Sequence, residues 1–310
     1  MAQGSAQATA PGGRRKDSGL GIAYMACCFL VFSTIDTMSK YLVQELPVLQ
    51  VAWTRQLGLL LGVMPLLLLR GRTLLQTTRP LLQCVRGLLT IGSSVLFIFA
   101  IRFVPLADAL AVSFIAPLVV TILGATLLGE TVGIRRWTAV AVGFVGAIIV
   151  VRPGMGVVHP AALLVLVAAS MFAGRQVITR LLGDRDGNMT TMAYTAIAGV
   201  VALSLPLPFV WQTPSSALAI GLLAAIAALG AVGEYLAIKA LEVAEAVVVA
   251  PTQYTLLIWG TVYGYAVFGD LPDGWTVAGA AIIVASTAYT FYRERRLAAA
   301  DGRGARGRGH

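Results

Sequence analysis

Five ionisable side chains interrupt otherwise apolar stretches of this 310-residue chain: Asp36, Arg55, Arg86, Arg175 and Glu234. A charge near the centre of a bilayer costs roughly 3 kcal/mol or more unless it is paired or faces water, so charges placed this way bind, pair or relay ions and polar solutes. Asp36 and Arg55 each lie about eight residues from the same end of two consecutive apolar segments, which is ~12 Å deep at ~1.5 Å per helical residue. Equal depth predicts an Asp36–Arg55 ion pair; it either gates and contacts a solute or only orients two helices. Towards the opposite face, Arg86, Arg175 and Glu234 each lie about seven or eight residues in. Glu234 is expected to pair with one of the two arginines, and a carboxylate held in a cavity is a candidate carrier of a coupling proton. Long arginine side chains also snorkel to the interface, the reading favoured for Arg86.

A second group is aromatic and amide in character. Pro251-Thr252-Gln253-Tyr254 follows an expected helix bend, where freed backbone carbonyls meet a ligand. Tyr235 adjoins Glu234, and Trp259 follows Tyr254. Aromatic faces suit flat or amphipathic ligands, and packing against lipid is the alternative role. Pro117 and Pro251 are the two expected bends. Gly58-x3-Gly62 and Gly260-x3-Gly264 are close-packing patterns. Glu130 is expected to make a loop contact with Arg135 and Arg136. Three cysteines, Cys27, Cys28 and Cys84, lie in apolar segments without metal-binding spacing, and the two histidines, His159 and His310, lie outside them. Metal sites, catalytic triads and cofactors have little to stand on, and with no Gly-rich phosphate loop direct ATP drive is not expected.

The elements that must position these residues are helices in lipid. The chain is 58% hydrophobic and 12% charged, with mean hydropathy +0.83, whereas soluble domains carry about 25% charged residues. Ten apolar segments can be marked, at about 19–44, 48–69, 80–104, 106–128, 135–151, 160–182, 190–210, 215–241, 244–268 and 275–292, with turn-forming residues at many of the breaks. With the N-terminus inside, 17 of the 23 Lys and Arg residues fall on the inner face and only Lys40, Arg102 and Arg152 on the outer. That bias predicts cytoplasmic N- and C-termini in a multi-pass protein of a bacterial inner membrane. It also accounts for the net charge of +9 without nucleic acid as a partner. Residues 1–18 read as a disordered cytoplasmic tail and 293–310 as a basic cytoplasmic tail.

The chain repeats itself. At an offset of 140 residues Phe32 meets Phe172, Ser39 meets Thr179, Lys40 meets Arg180 and Leu42 meets Leu182. At 137, Ala100-Ile101-Arg102 meets Ala237-Ile238-Lys239, and at 138 Trp137-Thr138 meets Trp275-Thr276. Two units, 19–152 and 153–292, then hold five spans each, and an odd number forces the second to enter from the opposite side. The expected fold is all-α and integral to the membrane, with ten transmembrane helices in two inverted five-helix repeats, the architecture of alternating-access carriers.

Phe32 to Lys40, Trp53-Thr54-Arg55, Pro105-Leu106-Ala107-Asp108-Ala109, Ala116-Pro117-Leu118, Leu127-Leu128-Gly129-Glu130, Arg135-Arg136-Trp137, Arg152-Pro153-Gly154, Ala250-Pro251, Phe268-Gly269-Asp270 and Gly274-Trp275-Thr276 together resemble the drug/metabolite transporter superfamily, in its EamA-type branch. The resemblance covers roughly residues 20–295. It departs at Asp270, where the motif ends in Glu, and at the second Ala-Pro step, which sits at offset 134. It implies a central cavity lined mainly by spans 1–4 and 6–9, with spans 5 and 10 behind. The implied function is secondary transport of a small organic solute, leaning to uptake of a vitamin-like aromatic such as riboflavin. Export of amino acids or related metabolites and uptake of S-adenosylmethionine are the alternatives, and a membrane-embedded enzyme or a channel is the reading of a different class. A homodimer is a possible assembly.

Overall fold

A computed structural model describes residues 18–71, 75–130, 132–152, 159–182, 188–244 and 246–306. They form helices α1 (Ser18–Leu42), α2 (Val48–Arg70), α3 (Pro80–Ile101), α4 (Leu106–Ser113), α5 (Ala116–Leu127), α6 (Ile134–Val151), α7 (Ala162–Leu182), α8 (Asn188–Ser204), α9 (Leu207–Val210), α10 (Ala217–Val243) and α11 (Ala246–Val249), a 3-10 turn (Ala250–Tyr254), α12 (Thr255–Phe268) and α13 (Gly274–Arg306). Among the described residues there is no strand. An all-helical chain satisfies its backbone hydrogen bonds within each segment, which lipid requires. Starts are marked by Pro80 at the first position of α3 and by Ser216, whose hydroxyl accepts a 3.0 Å bond from Ala219 N at the head of α10.

Among the described residues, seven helical stretches are long and apolar enough to cross a bilayer: Gly19–Leu42, Val48–Leu69, Pro80–Ile101, Leu106–Leu127 (α4 and α5 together), Ile134–Val151, Ala162–Leu182 and Ala217–Val243. The other three expected spans hold shorter apolar helices. Segment 190–210 is divided between α8 and α9, and segment 244–268 is cut at the 3-10 turn that holds Pro251. In α13 only Gly274–Tyr289 counts as an apolar stretch, and the helix then continues through Arg306, across the expected basic tail. The expected disordered tail lies outside the described residues apart from Ser18, where α1 begins.

Helix packing is mostly between halves and comes in exchanged twins. α1 lies along α10, and α3 along α7; α2 meets α10, and α8 meets α3; α1 meets α12, and α7 meets α5. α2 pairs with α8, and α6 with α13. Exchanging α1, α2, α3, α5 and α6 for α7, α8, α10, α12 and α13 leaves this pattern unchanged. Small residues permit the closest approaches. A Cβ on Gly58 of α2 would lie 2.5 Å from the Ala227 carbonyl oxygen of α10, and one on Gly279 of α13 would lie 2.6 Å from that of Gly146 in α6.

Polar contacts sort the helix ends onto two faces. On one, Lys40 Nζ reaches the Val104 carbonyl (3.2 Å) and the Asp270 carboxylate (3.0 Å), Arg152 pairs with Asp273 (2.7 Å), and the His159 ring stacks on Phe103 at 4.6 Å. On the other, Arg79 donates to the Leu181 carbonyl (3.1 Å), and Arg180 pairs with Glu130 (3.5 Å). Glu130 thus meets α7, a partner distant in sequence. The outer surface is apolar: Leu68 is 79% exposed and Phe209 89%, a finish suited to lipid.

Candidate functional site

Asp36 is in the C-terminal half of α1, and Arg55 is two turns into α2. Arg55 Nη1 donates to Asp36 Oδ1 at 2.5 Å, with the Asp36 side chain 8% exposed and that of Arg55 26%. The carboxylate is therefore sealed between helices while the guanidinium keeps one edge open. Hydrogen bonds tie neighbouring hydroxyls back to the helix: Thr37 donates to the Ser33 carbonyl and Ser39 to that of Ile35. One turn before Asp36 on the same face, Phe32 packs against Gly233 of α10.

Arg86, Arg175 and Glu234 come from α3, α7 and α10. Arg86 does not snorkel. It is buried, with Nε donating to the Thr179 hydroxyl (2.8 Å) and Nη1 to the Thr191 carbonyl (3.3 Å) and the Thr195 hydroxyl. These acceptors from α7 and α8 supply what the interface would otherwise have offered, so the guanidinium stays among helices. Glu234 makes no ion pair within 4 Å of either arginine among the described residues; it stands within electrostatic range of Arg86, Arg175 and Cys28 without closing on any of them. Arg175 lies over the Phe172 ring at 4.3 Å, and its Nε is buried with no hydrogen-bond partner. Two guanidinium groups and one carboxylate, from three helices of both halves, thus lie near one another without an ion pair among them, and Arg175 Nε keeps an unused donor.

Tyr235 turns away from this group. It is 57% exposed, with Lys239 Nζ 5.8 Å from its ring. Tyr254 ends the 3-10 turn and stacks on Phe114 with ring centroids 5.4 Å apart and planes 26° apart. Gln253 sits beside it, half-buried. Phe114 lies at the matching break of the first half, between α4 and α5, with Pro117 at the second position of α5. Phe114 and Tyr254 are 140 residues apart, the offset that also relates two turns of the same geometry. Gly129 (φ 67°) is followed by Glu130, whose N–H bonds to Gly124 O; Gly269 (φ 73°) is followed by Asp270, whose N–H bonds to Gly264 O. A left-handed residue after a helix favours glycine, which has no Cβ to clash. The breaks in the two halves therefore correspond, although the prolines, at offset 134, do not.

Two EamA repeats match the chain, at residues 19–152 and 159–292. The chain belongs to the EamA-like transporter family. Among curated relatives it is 30% identical over 277 residues to an S-adenosylmethionine uptake transporter of Rickettsia prowazekii, covering 89% of this chain and 94% of that one. It is 30% identical over 274 residues to a riboflavin transporter of Vibrio cholerae (87% and 92%) and 28% identical over 273 residues to the pseudopaline exporter CntI of Pseudomonas aeruginosa (86% and 93%). A solved crystal structure superposes with a TM-score of 0.58 at 20% identity, over 90% of this chain and 99% of that one, a likeness of fold. Within this transporter family fold, several polar groups escaped the sequence reading. Thr179, Thr191 and Thr195 hold Arg86, and only Thr179 had a signal, one turn beyond Arg175 on the same helix. The Lys40–Asp270 and Arg152–Asp273 pairs join segments more than 100 residues apart and carry no local signature.

Proposed function

We propose that this chain is a secondary carrier whose ten spans form two inverted five-helix repeats, 19–152 and 153–292, in a bacterial inner membrane with both termini cytoplasmic. Its solute is a ring system with a charged or polar arm, S-adenosylmethionine first. The observation that carries this reading is the Phe114–Tyr254 stack. A residue in contact with its own repeat mate lies on the axis relating the repeats. In an inverted duplication that axis runs in the membrane plane, where the solute site of such carriers is found. Aromatic faces there suit an adenine or flavin ring. Arg86, Arg175 and Glu234, unclosed on one another, suit the carboxylate and cationic groups of an amino-acid arm. Similarity over nearly the whole length of the Rickettsia uptake transporter supports the same solute.

Riboflavin is the second reading, supported by the aromatic stack and the Vibrio relative. Asp36–Arg55 acts as a gate on the outer side, and Glu234 carries the coupling proton.

The test is reconstitution of purified protein in proteoliposomes with labelled S-adenosylmethionine. Saturable uptake with counterflow, competed by riboflavin only if the second reading holds, is the expected result. Tyr254→Ala is expected to weaken solute binding by roughly 2- to 12-fold, from the 0.5–1.5 kcal/mol of an aromatic pair. Glu234→Gln is expected to abolish uphill transport while leaving counterflow. Product formation without flux, or non-saturable flux, overturns the carrier reading in favour of an enzyme or a channel.

A further inference from the structure

Arg86 and Arg175 reach the same neighbourhood from two helices that lie along one another, α3 and α7, but their donors are committed differently. Arg86 is 8% exposed, and its donors go to protein: Nε to the Thr179 hydroxyl at 2.8 Å, Nη1 to the Thr191 carbonyl and the Thr195 hydroxyl. The Thr179 hydroxyl in turn donates to the Arg175 carbonyl at 2.8 Å, so Arg86 is tied to the turn of α7 that carries Arg175. One turn before Arg86, the Gln83 amide donates to the Thr191 hydroxyl at 3.2 Å and strengthens the same junction with α8.

Arg175 is the opposite case. It is half-buried, its guanidinium carbon lies 4.3 Å from the Phe172 ring centroid, and its Nε is buried without a hydrogen-bond partner. A buried donor left unmade is costly, more so on a charged group, and a ligand that accepts from it recovers that cost. The carboxylate nearest in its field is Glu234 of α10, which is coupled more strongly to Arg175 than to Arg86. The two helices do not lie along one another: α7 packs on α3 and α5, and α10 on α1 and α2. Arg175 and Glu234 therefore stand on either side of a seam between two helix pairs, α3–α7 and α1–α10.

We infer that Arg175 is the residue that reads a carboxylate on the solute, and that Arg86 is not a second reader but fixes the turn that presents it. The inference rests on the carrier reading above and narrows its solute to a molecule ending in an α-amino carboxylate. The Nε–H and one Nη–H of a guanidinium edge form a two-point donor that matches both oxygens of a carboxylate. Phe172 takes one face of the guanidinium and leaves that edge to the ligand. Glu234, across the seam, is the counter-charge for the ammonium beside the carboxylate and repels a second acid. Riboflavin carries no such end, so Arg175 also separates the two solutes considered above.

The test compares equilibrium binding of S-adenosylmethionine and of its decarboxylated analogue to the purified protein. Wild type is expected to favour the acid by on the order of tenfold or more. Arg175→Gln is expected to erase that preference, whereas Arg86→Lys is expected to weaken both ligands together and keep their ratio. Equal binding of the two by wild type, a preference that survives Arg175→Gln, or one lost in Arg86→Lys overturns the inference. If Arg175→Gln does not fold, Arg175→Lys replaces it: a point charge cannot make both bonds, so the ratio falls several-fold, and an unchanged ratio overturns the inference. Binding of neither probe to wild type refutes the S-adenosylmethionine reading instead, and thiol access then decides without a solute. With Cys27, Cys28 and Cys84 replaced by Ala, Arg175→Cys is expected to react with a water-soluble anionic methanethiosulfonate on the order of tenfold faster than Arg86→Cys, because Arg175 borders a wetted seam and Arg86 is enclosed by threonines. Equal rates, or a faster Arg86→Cys, overturn it.

Discussion

The Asp36–Arg55 pair allows the sharpest energetic prediction. The carboxylate is 8% exposed and the guanidinium 26%, with a 2.5 Å contact. Charge centres about 4 Å apart at an effective dielectric constant near 20 attract by about 4 kcal/mol, and the open edge of Arg55 trims this to roughly 2–3 kcal/mol of coupling. The two single variants are expected to be unequal. Arg55→Leu strands a sealed carboxylate and should cost about 3–5 kcal/mol. Asp36→Asn leaves a side chain of the same shape that still accepts from Arg55, whose open edge can rehydrate, and should cost about 1–2 kcal/mol. The double variant should cost less than the sum by the coupling energy. Reversible unfolding of the four proteins in mixed micelles measures the cycle. Additivity within about 0.5 kcal/mol would sink the claim that the pair is energetically coupled, and a larger cost for Asp36→Asn than for Arg55→Leu would refute the assignment of the carboxylate as the sealed partner.

Three further outcomes follow from single features. Gly58→Val should destabilise the protein by about 1–3 kcal/mol, because its Cβ meets the Ala227 backbone 2.5 Å away rather than a side chain that can move; thermal unfolding reads the loss. Arg86→Lys should lower transport well below wild type, because one ammonium cannot reproduce the fork that reaches Thr179, Thr191 and Thr195 together; a proteoliposome assay reads it. Asp273 caps α13, with Oδ1 accepting from Thr276 N at 2.8 Å, and that backbone N–H together with Arg152 holds its carboxyl below the usual carboxylate range. A depressed folded value means the stabilisation is present above the unfolded value near 3.9 and fades as pH falls through the folded one. Asp273→Ala should cost about 1 kcal/mol near neutral pH, and the difference from wild type should shrink as pH drops below about 4; a constant gap across that range would contradict the cap.

The membrane character of the chain was legible because periodicity is not needed to see it: long apolar runs and charges confined to their ends are features of one dimension. The duplication was legible for a similar reason, since Lys40 and Arg180, or Trp137 and Trp275, repeat at nearly constant offset. Asp36 and Arg55 meet because consecutive antiparallel helices bring residues at equal distance from their shared loop to the same level. Depth alone implies snorkelling for Arg86, which the structure instead holds among helices. The threonines that hold it come from α7 and α8, roughly 100 residues away, and no property of α3 announces them. The continuous form of the later spans was misjudged where hydropathy ran on through a break: Pro251 lies in an apolar run, but its ring removes a donor and forces the 3-10 turn.

The crossed ion pairs show what a repeat adds once contacts are known. Neither Lys40–Asp270 nor Arg180–Glu130 can be read from sequence neighbours, since each joins segments at least 50 residues apart. Yet all four residues were already in the repeat: Lys40 opposite Arg180, and Gly129-Glu130 opposite Gly269-Asp270. Within one half, each acid follows a helix whose end lies on the face opposite that half's own base: Glu130 shares a face with Arg180, and Lys40 with Asp270. An inverted duplication therefore leaves acid and base of one half unable to meet, and each finds its partner in the other half. Matched opposite charges at repeat-related positions should thus be sought as crossed pairs, one per face.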